Sequence, residues 1–330
     1  MSTLSERILC GTAGEYVDRH VDRAYVHDGT GVLTLDAWRR LGEMPVAYPE
    51  QCAIIFDHIV PANTATTAIL QAELREFASC SGIRFSEIGG GICHQVMSEG
   101  EVLPGEVVVG ADSHTCTLGA FGAFATGVGA TDMAAIWASG STWFRVPETL
   151  AIRLLGRLTA PAEPKDLALK YVGLLGMDGG AYRALEFVGE GVESISMDGR
   201  LTLCNLAVET GAKTGLFYAD GTTCRYLERY GQTVQPQVPQ DCCYEREYPI
   251  DCSEIVPLVA IPPRVDTIRP VSDLAGLGID QVLVGTCTNG RFEDLERFAR
   301  IVRGRKVAVR TIVAPASREI LENAIRAGVL

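Results

Sequence analysis

Residues 281–291, Gln-Val-Leu-Val-Gly-Thr-Cys-Thr-Asn-Gly-Arg, decide how this chain is read. Val282, Leu283 and Val284 predict a short buried strand, Gly285 and Gly290 mark a turn, and Phe292, Leu295, Phe298, Ile301 and Val302 then recur at helical spacing. Cys287 is therefore expected at the carboxyl end of a strand, facing a helix N-terminus. Free backbone N–H groups and the helix dipole favour a thiolate there, and a thiolate is either a nucleophile or a metal ligand. A packed, inert cysteine is the competing reading, because free cysteines are commonly buried.

The same pattern recurs upstream. Residues 52–61, Cys-Ala-Ile-Ile-Phe-Asp-His-Ile-Val-Pro, form an apolar run that exits at Asp57 and His58. A carboxylate beside an imidazole orients it and raises its pKa, which suits proton transfer, although a plain surface strand end reads the same way. Residues 106–110, Glu-Val-Val-Val-Gly, lead into Asp112, Ser113 and His114. These three stand too close in sequence for a hydrolase triad, which is assembled from separate segments, and suit orientation of a small polar ligand instead. Between the two lie a helix over Thr66–Cys80, a strand near Ile83–Phe85, and three glycines, Gly89 to Gly91, whose freedom in φ allows close approach to a ligand just before His94. The N-terminal segment offers a short amphipathic helix (Leu4, Ile8, Leu9) and then His27, Asp28 and Gly29. Gly127-Val-Gly129-Ala-Thr lacks the third glycine of a dinucleotide fingerprint and follows no clean strand, so it is set aside.

A boundary is expected near residue 146. Beyond it, Asn205 and Glu209 stand four apart, a spacing that would place both on one face of a helix. Residues 231–253, rich in Gln and Pro and carrying the vicinal Cys242 and Cys243, read as an irregular excursion. Pro262, Pro263 and Pro270 read as a linker into the Cys287 unit, and a strand over Val307–Val313 precedes a final helix. The expected domains are 1–146, 147–265 and 266–330. Strands alternate with helices, and the chemically interesting residues fall at strand carboxyl ends, where ligands bind in open α/β sheets.

Composition narrows the partners. With 330 residues, 47% of them hydrophobic, the chain can bury a large core, and a formal net charge of -12 argues against nucleic-acid or anionic-membrane surfaces. The eleven cysteines are scattered and include no Cys-x-x-Cys pair, and the N-terminus lacks a basic-then-apolar pattern. A reducing, cytoplasmic compartment is expected. The least polar long stretch, Gly119 to Gly140, carries Asp132 and reads as tightly packed small-residue backbone rather than a membrane span.

Taken together, His27-Asp28-Gly29-Thr30, Phe56-Asp57-His58, Cys-His94-Gln-Val, Gly-Ala-Asp112-Ser113-His114-Thr, Asn205 with Glu209-Thr-Gly, and Gly-Thr-Cys287-Thr-Asn289-Gly-Arg291 resemble the aconitase superfamily, in its isopropylmalate dehydratase and homoaconitase large-subunit branch. The resemblance runs from about residue 5 to the end and implies a three-layer α/β/α fold with largely parallel sheets. It also implies a hydro-lyase that isomerises a hydroxy di- or tricarboxylate by dehydration and rehydration on a [4Fe-4S] cluster, whose open iron acts as a Lewis acid. By the same resemblance Cys287 would be a cluster ligand and His58, held by Asp57, would protonate the leaving hydroxyl. His94, Asp112, His114 and Glu209 would act around the iron, and His27, Ser113, Asn205, Asn289 and Arg291 would bind substrate. 3-Isopropylmalate dehydratase is the expected activity, in leucine biosynthesis. A homoaconitase or methylmalate-type dehydratase and a cluster-free binding module are the alternatives. The family's other two cluster cysteines form a Cys-x-x-Cys pair downstream of the first, and no cysteine follows Cys287. The third domain is thus expected to be incomplete and the isolated chain inactive. A small subunit bearing the family's swivelling domain is the implied partner.

Overall fold

The computed structural model describes residues 2–239 and 242–330. Gln240 and Asp241, inside the Gln- and Pro-rich excursion, lie outside the described residues. Helix α1 (Leu4–Leu9), opened by a Thr3–Glu6 capping box, precedes strands β1 (Tyr16–His20) and β2 (Arg23–His27). Then come α2 (Asp28–Arg40), β3 (Cys52–Ile55), α3 (Ala65–Ser81), β4 (Arg84–Ser86), α4 (Cys93–Ser98) and β5 (Val107–Gly110). A 3-10 helix over Ser113–Phe121, β6 (Phe124–Gly127), α5 (Ala130–Ser139) and β7 (Ser141–Arg145) complete this part, with β7 antiparallel to β1.

The wholly parallel sheet built here has the order β4-β3-β2-β5-β6. Every residue of β3 and β5 is buried, as a sheet covered by helices on both faces requires, which is why these strands read as unbroken apolar runs. Helix α3 starts where the Thr64 hydroxyl accepts from Thr67 N and stops at Gly82, whose φ of +74° suits glycine. The direction of chain progression reverses between β2 and β5. Such a switch point opens a crevice at the strands' carboxyl ends.

A second parallel sheet contains β8 (Thr149–Leu155), β9 (Ala184–Val188), β10 (Thr214–Leu216) and β11 (Arg246–Asp251), in the order β10-β9-β8-β11. Helices α6 (Pro164–Leu175), α7 (Met197–Asn205) and α8 (Gly221–Glu228) connect its strands. The 3-10 helix over Ser113–Phe121 packs on β10 so closely that a Cβ on Gly119 would run into the Gly215 carbonyl oxygen, while Phe217 N donates to Gly119 O at 3.1 Å. An antiparallel ribbon of β12 (Leu258–Ala260) and β13 (Ile268–Pro270) leads to a parallel pair, β14 (Gln281–Val284) and β15 (Arg310–Val313), with helices α9 (Phe292–Val302) and α10 (Arg318–Arg326). No helix of the described residues is long and apolar enough to cross a membrane.

Four expectations are corrected. Residues 231–253 are not wholly irregular, because Arg246–Asp251 form β11; this is the sheet's edge, where Pro249 forfeits no interior ladder bond. The proline-marked linker contains the β12–β13 ribbon. Gly127-Val-Gly129 does follow a strand, β6, whose small residues are buried on both faces and so show no alternation. Strand β14 is not buried: Leu283 is 53% exposed, because only one face of its two-stranded sheet is covered, where Val284 and Val313 pack on Leu295, Ile320 and Ala324.

Candidate active site

Strands β2, β3 and β5 end side by side, and each delivers polar side chains into the switch-point crevice. His27 closes β2 and caps α2: its Nδ1 accepts from Gly29 N at 3.1 Å. Asp28, in the first turn of α2, reaches across to the β3 exit. Its Oδ1 accepts from His58 N at 2.8 Å and Asp57 N at 3.2 Å, and its Oδ2 accepts from Ile59 N at 2.8 Å and Gln71 Nε2 at 3.1 Å. Burial pushes the Asp28 carboxyl up, but these amides outweigh it and hold it below the usual carboxylate range. Asp57 in turn divides its oxygens between His58 Nδ1 and Cys93 N, each at 2.6 Å, which ties the β3 exit to the start of α4.

Asp112, after β5, is the hub. His58 Nε2 lies 3.3 Å and His27 Nε2 3.7 Å from its Oδ2, while His94 Nε2 lies 3.2 Å and His114 N 2.8 Å from its Oδ1. Burial pushes this carboxyl up, and hydrogen bonds from His58 and His94 more than reverse that, so it is held far below the usual range. With a carboxylate on each nitrogen, first Asp112 and then Asp57, His58 is pushed up to about 10. The neighbouring His27 is lowered, first by burial and then by the charge on His58. His114 turns the other way: its Nε2 pairs with Glu209 at 3.3 Å, which lowers the Glu209 carboxyl, and its Nδ1 lies 3.3 Å from the exposed Ser113 hydroxyl.

The second region of interest is the turn that carries Cys287. Thr286 adopts φ +73°, a strained conformation for a β-branched residue, and Gly285 bridges to Asn289. Arg291 holds this turn from within. It is 2% exposed, its guanidinium donates to Thr288 O at 2.7 Å, Gln95 Oε1 at 3.1 Å and Cys287 O at 3.3 Å, and none of it faces a crevice. Asn289 Nδ2 donates to Asp294 at 2.9 Å. Arg291 and Asn289 thus brace the loop, and Asn289 also lines a cavity beside Val284, Gly285 and Asp294, with its Oδ1 left without a hydrogen-bond partner among the described residues.

Asn205 and Glu209 do not share a helix face. Helix α7 ends at Asn205, and a 3-10 turn over Leu206–Thr210 changes the pitch, so Glu209 meets His114. The buried Asn205 instead joins Thr117 Oγ1 at 2.8 Å to the Thr288 hydroxyl at 2.8 Å, another brace on the Cys287 turn. The N-terminus of α9 serves the fold too. Arg291 N donates to Asp294 and Glu293 N to Asp198, so these amides face carboxylates and not the Cys287 thiol.

Sequence reading missed Asp28 as the clamp on the β3 exit, and it missed Tyr25, whose hydroxyl lies 2.8 Å from His94 Nδ1. Tyr25 was findable: it stands two residues before His27 on one strand, hence on the same face.

Two groups of ligand-type side chains lie close enough to share an ion, His27 with Asp28, Asp57 and His58, and Cys93 with His94 and Asp112. Their atoms are already engaged with one another and with backbone amides, so they read as hydrogen-bonded clusters. Cys287, half-exposed, joins no group of three such ligands among the described residues. The nearby Cys116 directs its thiol at Asn205 O, 3.5 Å away, and is pushed up to about 12, mainly by burial. Among the described residues no second cysteine thiol therefore joins Cys287 in a ligand group, although other cysteines, such as Cys10 and Cys80, are exposed elsewhere on the chain.

A switch-point crevice in a parallel α/β sheet, lined by Asp–His pairs and flanked by a lone cysteine turn, marks a class, and the sequence comparisons supply its family. The chain belongs to the aconitase family (aconitate hydratase), which it matches over residues 5–330. This family implies an iron–sulfur cluster. Among its relatives, the probable methanogen homoaconitase large subunit of Methanosarcina mazei is 48% identical over 316 residues, covering 94% of this chain and 80% of that protein. The 3-isopropylmalate dehydratase large subunit 1 of Methanopyrus kandleri is 44% identical over 340 residues, covering 99% and 81%. The 3-isopropylmalate dehydratase large subunit of Elusimicrobium minutum is 41% identical over 339 residues, covering 99% and 81%.

Proposed function

We propose that this chain is the large subunit of a 3-isopropylmalate dehydratase, a hydro-lyase that interconverts 2-isopropylmalate and 3-isopropylmalate by removing and re-adding water. The observation that carries this reading is His58. It is a partly exposed imidazole with a carboxylate on each nitrogen, so it holds a proton well above neutral pH and presents it at the mouth of the crevice. Hydroxide leaves poorly unless it is protonated as it departs, and a positioned acid of this kind supplies about 10²–10⁴-fold in rate. Asp57 orients the donor. Asp112, shared by His27, His58 and His94, keeps the cationic side of the crevice in place for a dicarboxylate, which an otherwise acidic protein must bind with local positive charge. The His114–Glu209 pair lies beside this cluster, with the His94 and His114 ring centroids 6.2 Å apart and Ser113 next to it.

A [4Fe-4S] cluster is the cofactor that this reading calls for, and Cys287 is the residue that would ligate it; among the described residues no second cysteine stands grouped with it. The relatives' designation as large subunits supports a heteromer with a small subunit. The free state of all eleven cysteines accords with a reducing compartment. The tricarboxylate homocitrate is the second substrate to test, since a relative named for homoaconitase shares 48% identity.

The experiment extends the chain by a downstream segment carrying the family's Cys-x-x-Cys pair, co-expresses it with a small subunit of the family, reconstitutes iron and sulfide anaerobically, counts iron per polypeptide and assays 2-isopropylmalate and homocitrate. Turnover of 2-isopropylmalate that drops about 10²-fold or more in His58→Asn supports the reading. Preference for homocitrate moves it to the homoaconitase branch. A complex that binds iron yet turns over neither acid, or one indifferent to His58→Asn, overturns it, and a complex without iron leaves a cluster-free binding module.

A further inference from the structure

We infer that Tyr25 is a positioning residue for His94: its phenol fixes a proton on His94 Nδ1 and thereby directs the Nε2 edge of the ring at Asp112. The path begins at an atom that can only accept. The Asp112 carbonyl oxygen receives the Thr115 hydroxyl at 2.7 Å, which uses the one hydrogen that hydroxyl has. Thr115 Oγ1 is then free only to accept at its remaining contact, and Tyr25 donates to it at 2.9 Å. The phenol's single hydrogen is now used as well. At 2.8 Å from His94 Nδ1 the Tyr25 oxygen offers lone pairs alone, so the hydrogen in that contact belongs to the imidazole.

The other edge of the ring faces Asp112 Oδ1 at 3.2 Å, again an acceptor. A ring satisfied at both edges carries an N–H on each, and the path closes on the residue where it began: Asp112 carbonyl, Thr115, Tyr25, His94, Asp112 carboxylate. Water has little access to scramble this ordering, because Tyr25 and Thr115 are fully buried and His94 is 2% exposed. Burial also keeps Tyr25 a neutral phenol by pushing its ionisation well above the ordinary range. The sheet makes room for the device. Gly110 stands opposite Tyr25 in the β2–β5 register, and a Cβ there would lie 2.6 Å from Tyr25 Cζ.

The consequence for turnover rests on the hydro-lyase reading, whereas the placement of the proton does not. The test labels the imidazole nitrogens of the 330-residue chain with ¹⁵N, where five histidines keep the spectrum simple, and assigns His94 by its loss in His94→Gln. The expected wild-type pattern has both His94 nitrogens of the protonated type. Tyr25→Phe, which removes the acceptor, should shift the Nδ1 signal towards the unprotonated type. Thr115→Val keeps the phenol but frees its hydrogen to donate to the ring, so it should move Nδ1 the same way even if Tyr25→Phe does not fold. Wild-type Nδ1 of the unprotonated type, or a His94 pattern unmoved in both variants, overturns the inference. In the assembled enzyme, a kcat about tenfold lower in Thr115→Val with KM within twofold is the accompanying expectation for a misplaced proton. If the spectra behave as described while no enzyme activity can be found, the functional reading fails and the role of Tyr25 stands.

Discussion

His27 and His58 lie face to face, ring centroids 3.5 Å apart and planes 16° from parallel, and both point Nε2 at the same atom, Asp112 Oδ2. Two stacked imidazolium rings would repel, so the charge settles on the ring with the better partners. His58 has Asp112 and Asp57; His27 spends its Nδ1 on accepting from Gly29 N, which requires that nitrogen to be bare.

This pairing predicts a pH dependence of stability. The folded chain holds the His58 proton up to about 10, the unfolded chain only to the ordinary 6.5, so the folded state binds more protons in between. The stability that His58 contributes is complete below 6.5 and is lost as pH rises through 10. The urea midpoint should decline from pH 7 to pH 10, and the decline should be shallower in His58→Gln. Equal slopes in the two proteins would refute it.

Asp28→Asn should cost about 1–3 kcal/mol, the range for leaving buried donors poorly paired, because one carboxylate serves the amides of Asp57, His58 and Ile59. Denaturant titration at pH 7 measures the loss. A change below about half a kilocalorie would mean that water or Gln71 replaces the lost acceptor without strain.

Removing Arg291 strips buried partners from Gln95 and from the Thr288 and Cys287 carbonyls, so Arg291→Ala should destabilise the chain by at least about 3 kcal/mol. A more local signature is the reactivity of Cys287. Timed alkylation read by mass spectrometry should show Cys287 modified several-fold faster in the variant under native conditions, with the exposed Cys10 and Cys80 unchanged as internal references. Unaltered Cys287 kinetics would show that the strained Thr286 turn holds itself.

Gly119→Ala places a methyl group against the Gly215 carbonyl, and because the obstacle is backbone no rotamer change relieves it. A loss of about 3 kcal/mol or more, or insoluble expression, is expected. A soluble variant with wild-type thermal midpoint would mean that the 3-10 helix can shift off β10 at little cost.

The strand ends were legible because burial on both faces leaves an apolar run that stops where chemistry begins, as at Ile55 before Asp57 and at Gly110 before Asp112. Which of the two faces a residue uses was not. Arg291 belongs to a motif that reads as substrate-binding, yet the turn it closes folds over it, and nothing in the local sequence distinguishes an arginine facing in from one facing out. Asn205 and Glu209 obeyed helical spacing until a change from α to 3-10 winding separated them. Strand β11 was obscured by Pro249 and by its polar neighbours, since an edge strand tolerates residues that an interior one does not. The alternation of Tyr25 with His27 put the tyrosine on the site face of β2, but that its hydroxyl meets His94 follows only from the packed structure.

The hub on Asp112 draws its histidines from positions 27, 58, 94 and 114, all supported by one sheet, while Cys287 arrives on a separate pair of strands tied in through Arg291 and Asn205. The imidazole cluster and the Cys287 turn thus rest on separate sheets, joined by a few buried braces. A substitution that shifts the Cys287 turn therefore reaches the imidazoles chiefly through the buried arginine, whose guanidinium holds Gln95, the neighbour of His94.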